Sequence, residues 1–283
     1  MYDKLHRYFS TISQYSKTLY ASFYSSVLYA DVAKHWRGLG MGYLLFLIIL
    51  GAIPLSGRVN IAFHYFFKEE ILFPIQSLPL LSIKNGEIIY NDSMPHLIKN
   101  NKGDVISIID TSGTVSEINQ TYPKLRVLVT KNKIDFRFPS FKQFLGLAKD
   151  TIDNPIYTRT FDKGLNGLFS GKEWIRSTGI SKLNTLMQIL VFPCMVLFYF
   201  GVFGVFLLLL SSLMQLYSDI FFGLKLSFKT SCRLLAVAST PALALFFLMR
   251  YGNFSLSGMG LTYGVLILTY SSYALYSVKR FRV

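Results

Sequence analysis

The sequence predicts a membrane protein: four transmembrane α-helices with an inserted extracytoplasmic α+β domain. Three observations predict it. Uncharged apolar runs occur at residues 39–56 and then crowd into the last third of the chain. A polar stretch at 57–182 separates them. Lysine and arginine gather beside one side of these runs. Composition agrees, because 52% of the residues are hydrophobic and only 16% are charged. An average soluble domain is about 25% charged. The apolar surplus is segmental, so it is not simply a large core.

Residues 1–38 carry an apolar stripe at helical spacing: Tyr8, Ile12, Tyr15, Leu19, Phe23 and Val27. This fits a cytoplasmic helix lying in the membrane interface, with its rings at headgroup depth. A helix packed on the cytoplasmic end of the bundle would show the same stripe. The first span follows at 39–56, uncharged from Gly38 to Gly57. About 20 apolar residues cross about 30 Å of hydrocarbon. The preceding segment is unlike the short charged start of a signal peptide, so this span is expected to stay as an anchor.

The later spans are bounded by charge. No charged residue lies between Lys182 and Asp219. That run predicts one span near 189–213 with a helical lead-in, kinked at Pro193. Arg233 and Arg250 bracket the next, at 234–250, which Pro241 is expected to break. The last lies at 259–277 and ends in Lys279-Arg280-Phe281-Arg282.

The polar insert reads as mixed α and β. Leu80–Lys84 and Glu87–Tyr90 flank Asn85-Gly86, a dipeptide suited to a tight primed hairpin turn. Asp104–Ile109 reads as a buried strand stopped by Thr111-Ser112-Gly113. Leu125–Val129 and Ile134–Phe138 are two further strands, and Phe141–Ile152 predicts an amphipathic helix ending before Asn154-Pro155. The insert has no cysteine and does not rely on disulfides. Cys194 and Cys232 fall at membrane or cytoplasmic depth, where they act as small hydrophobes.

Charge sets the expected orientation. Cytoplasmic flanks carry excess Lys and Arg. Lys4, Arg7, Lys17, Lys34 and Arg37 precede the first span. Lys225, Lys229 and Arg233 lie between the second and third, and Lys279, Arg280 and Arg282 follow the fourth. Both termini are therefore expected in the cytoplasm, with 57–182 outside, in a bacterial inner membrane. The net charge of +14 sits largely beside the spans, where it meets anionic lipid at about 1 kcal/mol per residue. Membrane lipids are thus expected partners. Nucleic acid is not, because no basic platform interleaved with aromatics is present.

Motifs for chemistry are weak. Ile108-Ile109-Asp110-Thr111-Ser112-Gly113 resembles the strand-end aspartate of aspartic proteases, but Ser112 interrupts it and no second copy exists. The better reading is an Asp that caps its own turn. His6, His35, His64 and His96 have no metal-ligand spacing, and Gly171-Lys172 lacks the spacing of a P-loop. No catalytic, cofactor-binding or metal residue is assigned. No charge lies inside a predicted span, which speaks against an ion-coupled carrier. Small residues such as Gly201, Gly204, Gly258 and Gly260 favour close helix packing and give self-association a route.

Taken together, several segments resemble the bacterial membrane family called domain of unknown function 1189, with distant similarity to Yip-type multispan proteins. They are Phe23–Tyr29, Asp31–Lys34, Gly38-Leu39-Gly40, Leu78-Pro79-Leu80, Ile83–Glu87, Val105–Gly113, Leu226–Arg233 and Thr240-Pro241. The resemblance implies a multispan protein with an extracytoplasmic insert and supplies no activity. Asn85, Gly86, Asp110, Gly113, Arg233 and Pro241 are the structural or interaction positions. The expected function is a non-enzymatic scaffold or accessory subunit whose outer domain binds a protein or envelope component. A lipid- or solute-transport component and an envelope sensor are the alternatives.

Overall fold

The computed structural model describes residues 13–119, 121–140, 144, 154–254 and 257–281. Its elements run α1 (residues 13–21), α2 (Ser26–His35) and α3 (Met41–Phe67), then a π-helical turn (Lys68–Leu72) and α4 (Phe73–Gln76). Eight strands follow: β1 (Leu81–Lys84), β2 (Glu87–Ile89), β3 (His96–Lys99), β4 (Val105–Ile109), β5 (Val127–Val129), β6 (Lys133–Arg137), β7 (Ile156–Thr160) and β8 (Gly167–Phe169). The chain ends in α5 (Gly171–Thr178), α6 (Ile180–Phe222), α7 (Phe228–Ala238), α8 (Thr240–Gly252) and α9 (Met259–Arg280). Contacts divide it into two units, one of Met1–Val59 with Leu190–Val283 and one of Asn60–Ile189.

The first unit is helical. Among the described residues, two helical stretches are long and apolar enough to cross a membrane: Met41–Gln76 and Ile180–Phe222. A third crossing results if the bent pair α7 and α8 is one span. The stretch expected to end at 56 continues well past Arg58, and at 36 residues it is about 54 Å long. That exceeds the hydrocarbon thickness of about 30 Å, and the charge at Arg58 does not end the helix. Helix α6 runs unbroken through Pro193. Helix α9 is 22 residues long, but Thr262, Thr269, Ser271, Ser272 and Ser277 dilute its apolar character, and it falls outside the two or three.

Pro241 does break its helix. Its ring would collide with the carbonyl four residues earlier, and the axis turns by 43° between α7 and α8. Hydroxyls meet the carbonyls left at the break: Thr240 donates to Val237 O at 2.7 Å and Ser239 to Ala236 O at 3.0 Å. Pro241 itself sits in the first turn of α8, where no amide is needed. Serines also start the neighbours. Ser25 accepts from Leu28 N, and Ser227 from Thr230 N.

The amino-terminal stripe is not one helix. Tyr8 and Ile12 lie outside the described residues, α1 ends at residue 21, and a turn separates it from α2. The Ser22 hydroxyl donates to Leu19 O at 2.7 Å, competing with helix continuation. Tyr15 and Leu19 pack against the bundle core, whereas Phe23 and Val27 are exposed. Tyr29 and Val32 of α2 are fully buried with Tyr43, Leu44 and Ile48 of α3 and with Leu235 and Leu275. Tyr43 meets Thr240 across the core, hydroxyl to hydroxyl at 3.0 Å. Helices α3 and α8 approach so closely that a Cβ on Gly51 would collide with the Phe247 ring.

The second unit holds two sheets. The larger has strand order β3-β4-β5-β6-β7, with β4 and β5 parallel and its other pairs antiparallel. Both faces of its centre are covered. Ile109, Val127 and Val129 face one cluster, and Ile108 and Leu128 face another with Ile118 and Leu125. This is why β4 and β5 read as continuous apolar runs. The smaller sheet, β2-β1-β8, is antiparallel and adds Leu81, Ile83, Ile88 and Phe169 to the first cluster. Ser107 of β4 donates to Pro74 O at 2.8 Å, tying the sheet to α4. Buried Arg126 meets Glu70 of the π-helical turn, Nε to Oε2 at 3.0 Å. Trp174 of α5 stacks on Phe136 at 5.0 Å. The expected strand regions correspond to β1, β2, β4, β5 and β6, and the expected helix at 141–152 lies outside the described residues apart from Phe144. Strands β3, β7 and β8 were not anticipated.

Gly51→Ala is expected to lower bundle stability by about 1–3 kcal/mol, because Phe247 must leave its rotamer. Phe247→Leu in the same chain should restore part of the loss. Thermal unfolding in detergent micelles checks both.

Candidate interaction face

The smaller sheet presents an unusual outer surface. Its register places Ile89 and Leu168 on either side of Ser82 in one cross-strand row. Successive strand residues face opposite ways, so the row inherits the face away from Leu81, Ile83, Ile88 and Phe169. Ile89 is 43% exposed and Leu168 67%. Leu80, two residues before Ser82, is 61% exposed. Antiparallel sheets usually turn a polar face to water. Here two large aliphatic side chains stand on it, with exposed Leu80 just before β1, a feature associated with protein docking. Lys84 and Glu87 oppose each other at the end of this sheet, and Glu87 also pairs with Lys131 at 3.1 Å. The face is therefore apolar with a charged rim.

Asn85 and Gly86 hold this face in shape. Both have positive φ, at 52° and 78°, as a primed hairpin turn requires. The turn then docks on the loop before β8. Asn85 N donates to Asn166 Oδ1 at 2.8 Å, and Gly86 N to Leu165 O at 3.0 Å. A Cβ on Gly86 would stand 2.5 Å from Asp162 O. Glycine is needed twice over at this position, for conformation and for space. These residues place β8 beside β1 and so bring Leu168 level with Ile89.

Asp110 follows β4 and is fully buried. Its Oδ1 accepts from Ser112 N at 2.8 Å and from the Ser112 hydroxyl, and its Oδ2 accepts from Val115 N. Gly113 takes φ +87° to complete the turn. Burial pushes the Asp110 carboxyl up, but the Ser112 hydroxyl and the amides of Val115, Ser112 and Gly113 outweigh it and hold the carboxyl below its ordinary range. The carboxylate is thus engaged in holding a turn, away from the exposed row.

Arg233 and Pro241 belong to the other unit. The Arg233 guanidinium donates to Thr230 Oγ1 at 2.9 Å and reaches Ala33 O near the end of α2, where a cation suits the helix dipole. The six sequence-selected positions therefore split among a turn, a capped loop, a helix end and a helix break. Leu80, Ile89 and Leu168 were missed. The available signal was paired apolar residues in short strands, Ile88-Ile89 and Leu168-Phe169, which send one side chain to each face.

Among the described residues the histidines have separate partners. His35 contacts Asp31 at 2.8 Å, and His64 faces Gln188 at 3.3 Å. Among the described residues no three His, Cys, Asp or Glu side chains group as metal ligands. Among the described residues of the helical unit are two apolar cavities. One of about 110 Å³ is lined by Leu44, Phe203, Leu235 and Phe246. The other, of about 280 Å³, is lined by Leu47, Pro54, Phe247 and Tyr251.

Two substitutions test the supports. Gly86→Ala should cost about 2 kcal/mol or more through left-handed strain and contact with Asp162, read by denaturant unfolding. Asp110→Asn should flatten the acid limb of stability. A carboxyl depressed in the folded state contributes above its unfolded value of about 3.9 and loses that contribution as pH falls through the folded value. The wild-type unfolding midpoint should therefore drop below about pH 5, and that of the Asp110→Asn variant should drop less.

Comparison with known proteins places the chain. A family model described as "Protein of unknown function (DUF1189)" matches residues 16–275. A curated protein, the heme/hemopexin transporter protein HuxB of Haemophilus influenzae (strain 86-028NP), is 32% identical over 65 residues. That stretch is 23% of this chain and 11% of the relative, so the chain spans about a tenth of the relative's length. No solved structure matches. With all but its ends inside the family model, the chain belongs to the DUF1189 family.

Proposed function

We propose that this chain is a non-enzymatic accessory or scaffold protein of the bacterial inner membrane, whose sheet-bearing unit docks a protein partner or envelope component. The observation that carries this reading is the exposed pair Ile89 and Leu168 flanking Ser82 on a sheet face whose opposite side is buried, with Leu80 exposed just before β1. Exposed apolar patches rimmed by charge mark interaction surfaces. In this reading α9 makes a fourth crossing, both termini are cytoplasmic, and the sheets lie outside. The basic residues flanking the helices on one side support that orientation. Membrane lipids surround the bundle, no nucleic acid is bound, and distant kinship with Yip-type proteins accords with the same four-span plan.

A second reading, a lipid- or solute-transport component, draws on the two apolar cavities and on the partial likeness to a protein named as a transporter. Their apolar lining suits an acyl chain better than a polar solute.

A photo-crosslinking residue at Leu168, introduced in intact cells, should capture the same partner repeatedly. Leu168→Asp should reduce that partner's co-purification at least severalfold while leaving unfolding unchanged, because the side chain is 67% exposed. Labelling at Leu168 no greater than at exposed Tyr24 of the other unit would remove the basis for the docking role.

A further inference from the structure

Among the described residues, nothing covers the outer edge of the larger sheet. Strand β7 ends the order β3-β4-β5-β6-β7, and every one of its residues is exposed, including Ile156 at 45% and Tyr157 at 56%. Edge strands are normally blunted by proline, a bulge or several charges. The opposite edge, β3, has a register shift between Ile98 and Lys99. In β7 the pairing with β6 is regular throughout, and Arg159 is its single charge.

The backbone polarity of this edge can be derived. Thr130 N donates to Lys133 O, and Arg137 N donates to Arg126 O, so Lys133 and Arg137 point their peptide groups toward β5. The alternate residues Ile134 and Phe136 then face β7, where their partners are Arg159 and Tyr157. Phe161 N continues the phase by donating to Asn132 O. Ile156, Thr158 and Thr160 are left with N–H and C=O groups directed away from the sheet.

We infer that β7 pairs antiparallel with β7 of a second copy of this chain, centred on Thr158. Such pairing is two-fold symmetric and self-complementary. Thr158 faces its own copy as a hydrogen-bonded pair, and Ile156 faces Thr160. Tyr157 and Arg159 then meet as the closer, non-hydrogen-bonded pair. Arg159 lies against a ring and not against another arginine, and the cation–π contact forms twice. This complementarity of charge and aromatic face selects a second copy as the occupant. The inference concerns a different edge from the Leu168 face and stands independently of the docking role.

The test uses the full-length protein in nanodiscs. Thr158→Cys, with Cys194→Ala, should form an intermolecular disulfide under mild oxidation, in yield severalfold above Leu97→Cys on the opposite edge. Tyr157→Lys would set Lys against Arg159 and should weaken the dimer roughly tenfold. Adding Arg159→Glu should restore it, since each Lys then meets a Glu. Native mass spectrometry reads the dimer fraction. A monomer at all concentrations, a dimer indifferent to Tyr157→Lys, equal crosslinking at Leu97, or an unrelated peptide seated on a monomeric β7 would each overturn the inference.

Discussion

Hydrocarbon cannot hydrogen-bond to a peptide group, and the rest of this structure follows from that constraint. Within a bilayer only helices and closed barrels satisfy their own backbones. The apolar runs of this chain are helical, and the open-edged sheets belong to a separate compact unit. The same constraint explains the polar residues at the helix break. Pro241 interrupts the ladder between α7 and α8, and Ser239 and Thr240 supply hydroxyls to carbonyls nearby. Without them the bend would leave acceptors bare in an apolar setting, at a cost of about 1–3 kcal/mol for each.

The second unit shows the opposite arrangement. Its centre is covered on both faces, so β4 and β5 carry apolar residues without alternation. Buried polar groups there have assigned duties. Asp110 holds a turn, Ser107 reaches α4, and Arg126 pairs with Glu70. With these three groups engaged in the interior, the exposed features of the unit are the ones offered for recognition. Among the described residues these include an aliphatic row on the small sheet and an open edge on the large one.

Much of this was legible in the sequence because it is local. Asn85-Gly86 is a primed turn wherever two short strands flank it, and Asp110 followed by Ser112 and Gly113 is a self-capping loop. Other features were not legible. The length of α3 past Arg58 was not read because one charge interrupts the run, although Ile61, Phe63, Phe66 and Phe67 continue it beyond that charge. Strand β7 was hidden because Ile156–Thr160 is exposed along its whole length and so lacks alternation. The amino-terminal stripe suggested a single helix, since nothing in its period reveals that Ser22 ends one turn and Ser25 starts another.

The sequence alone determined that the chain carries runs apolar and long enough to cross a membrane, where charge interrupts them, and which dipeptides turn. Hydrophobicity, charge and φ preference are properties of residues and their near neighbours, so they survive without coordinates. Only the tertiary structure decided which of two adjacent apolar residues is buried, that Gly51 yields its space to Phe247, and that Leu168 stands beside Ile89. Those outcomes depend on strands and helices distant in the chain meeting in one register, and no local pattern encodes that meeting.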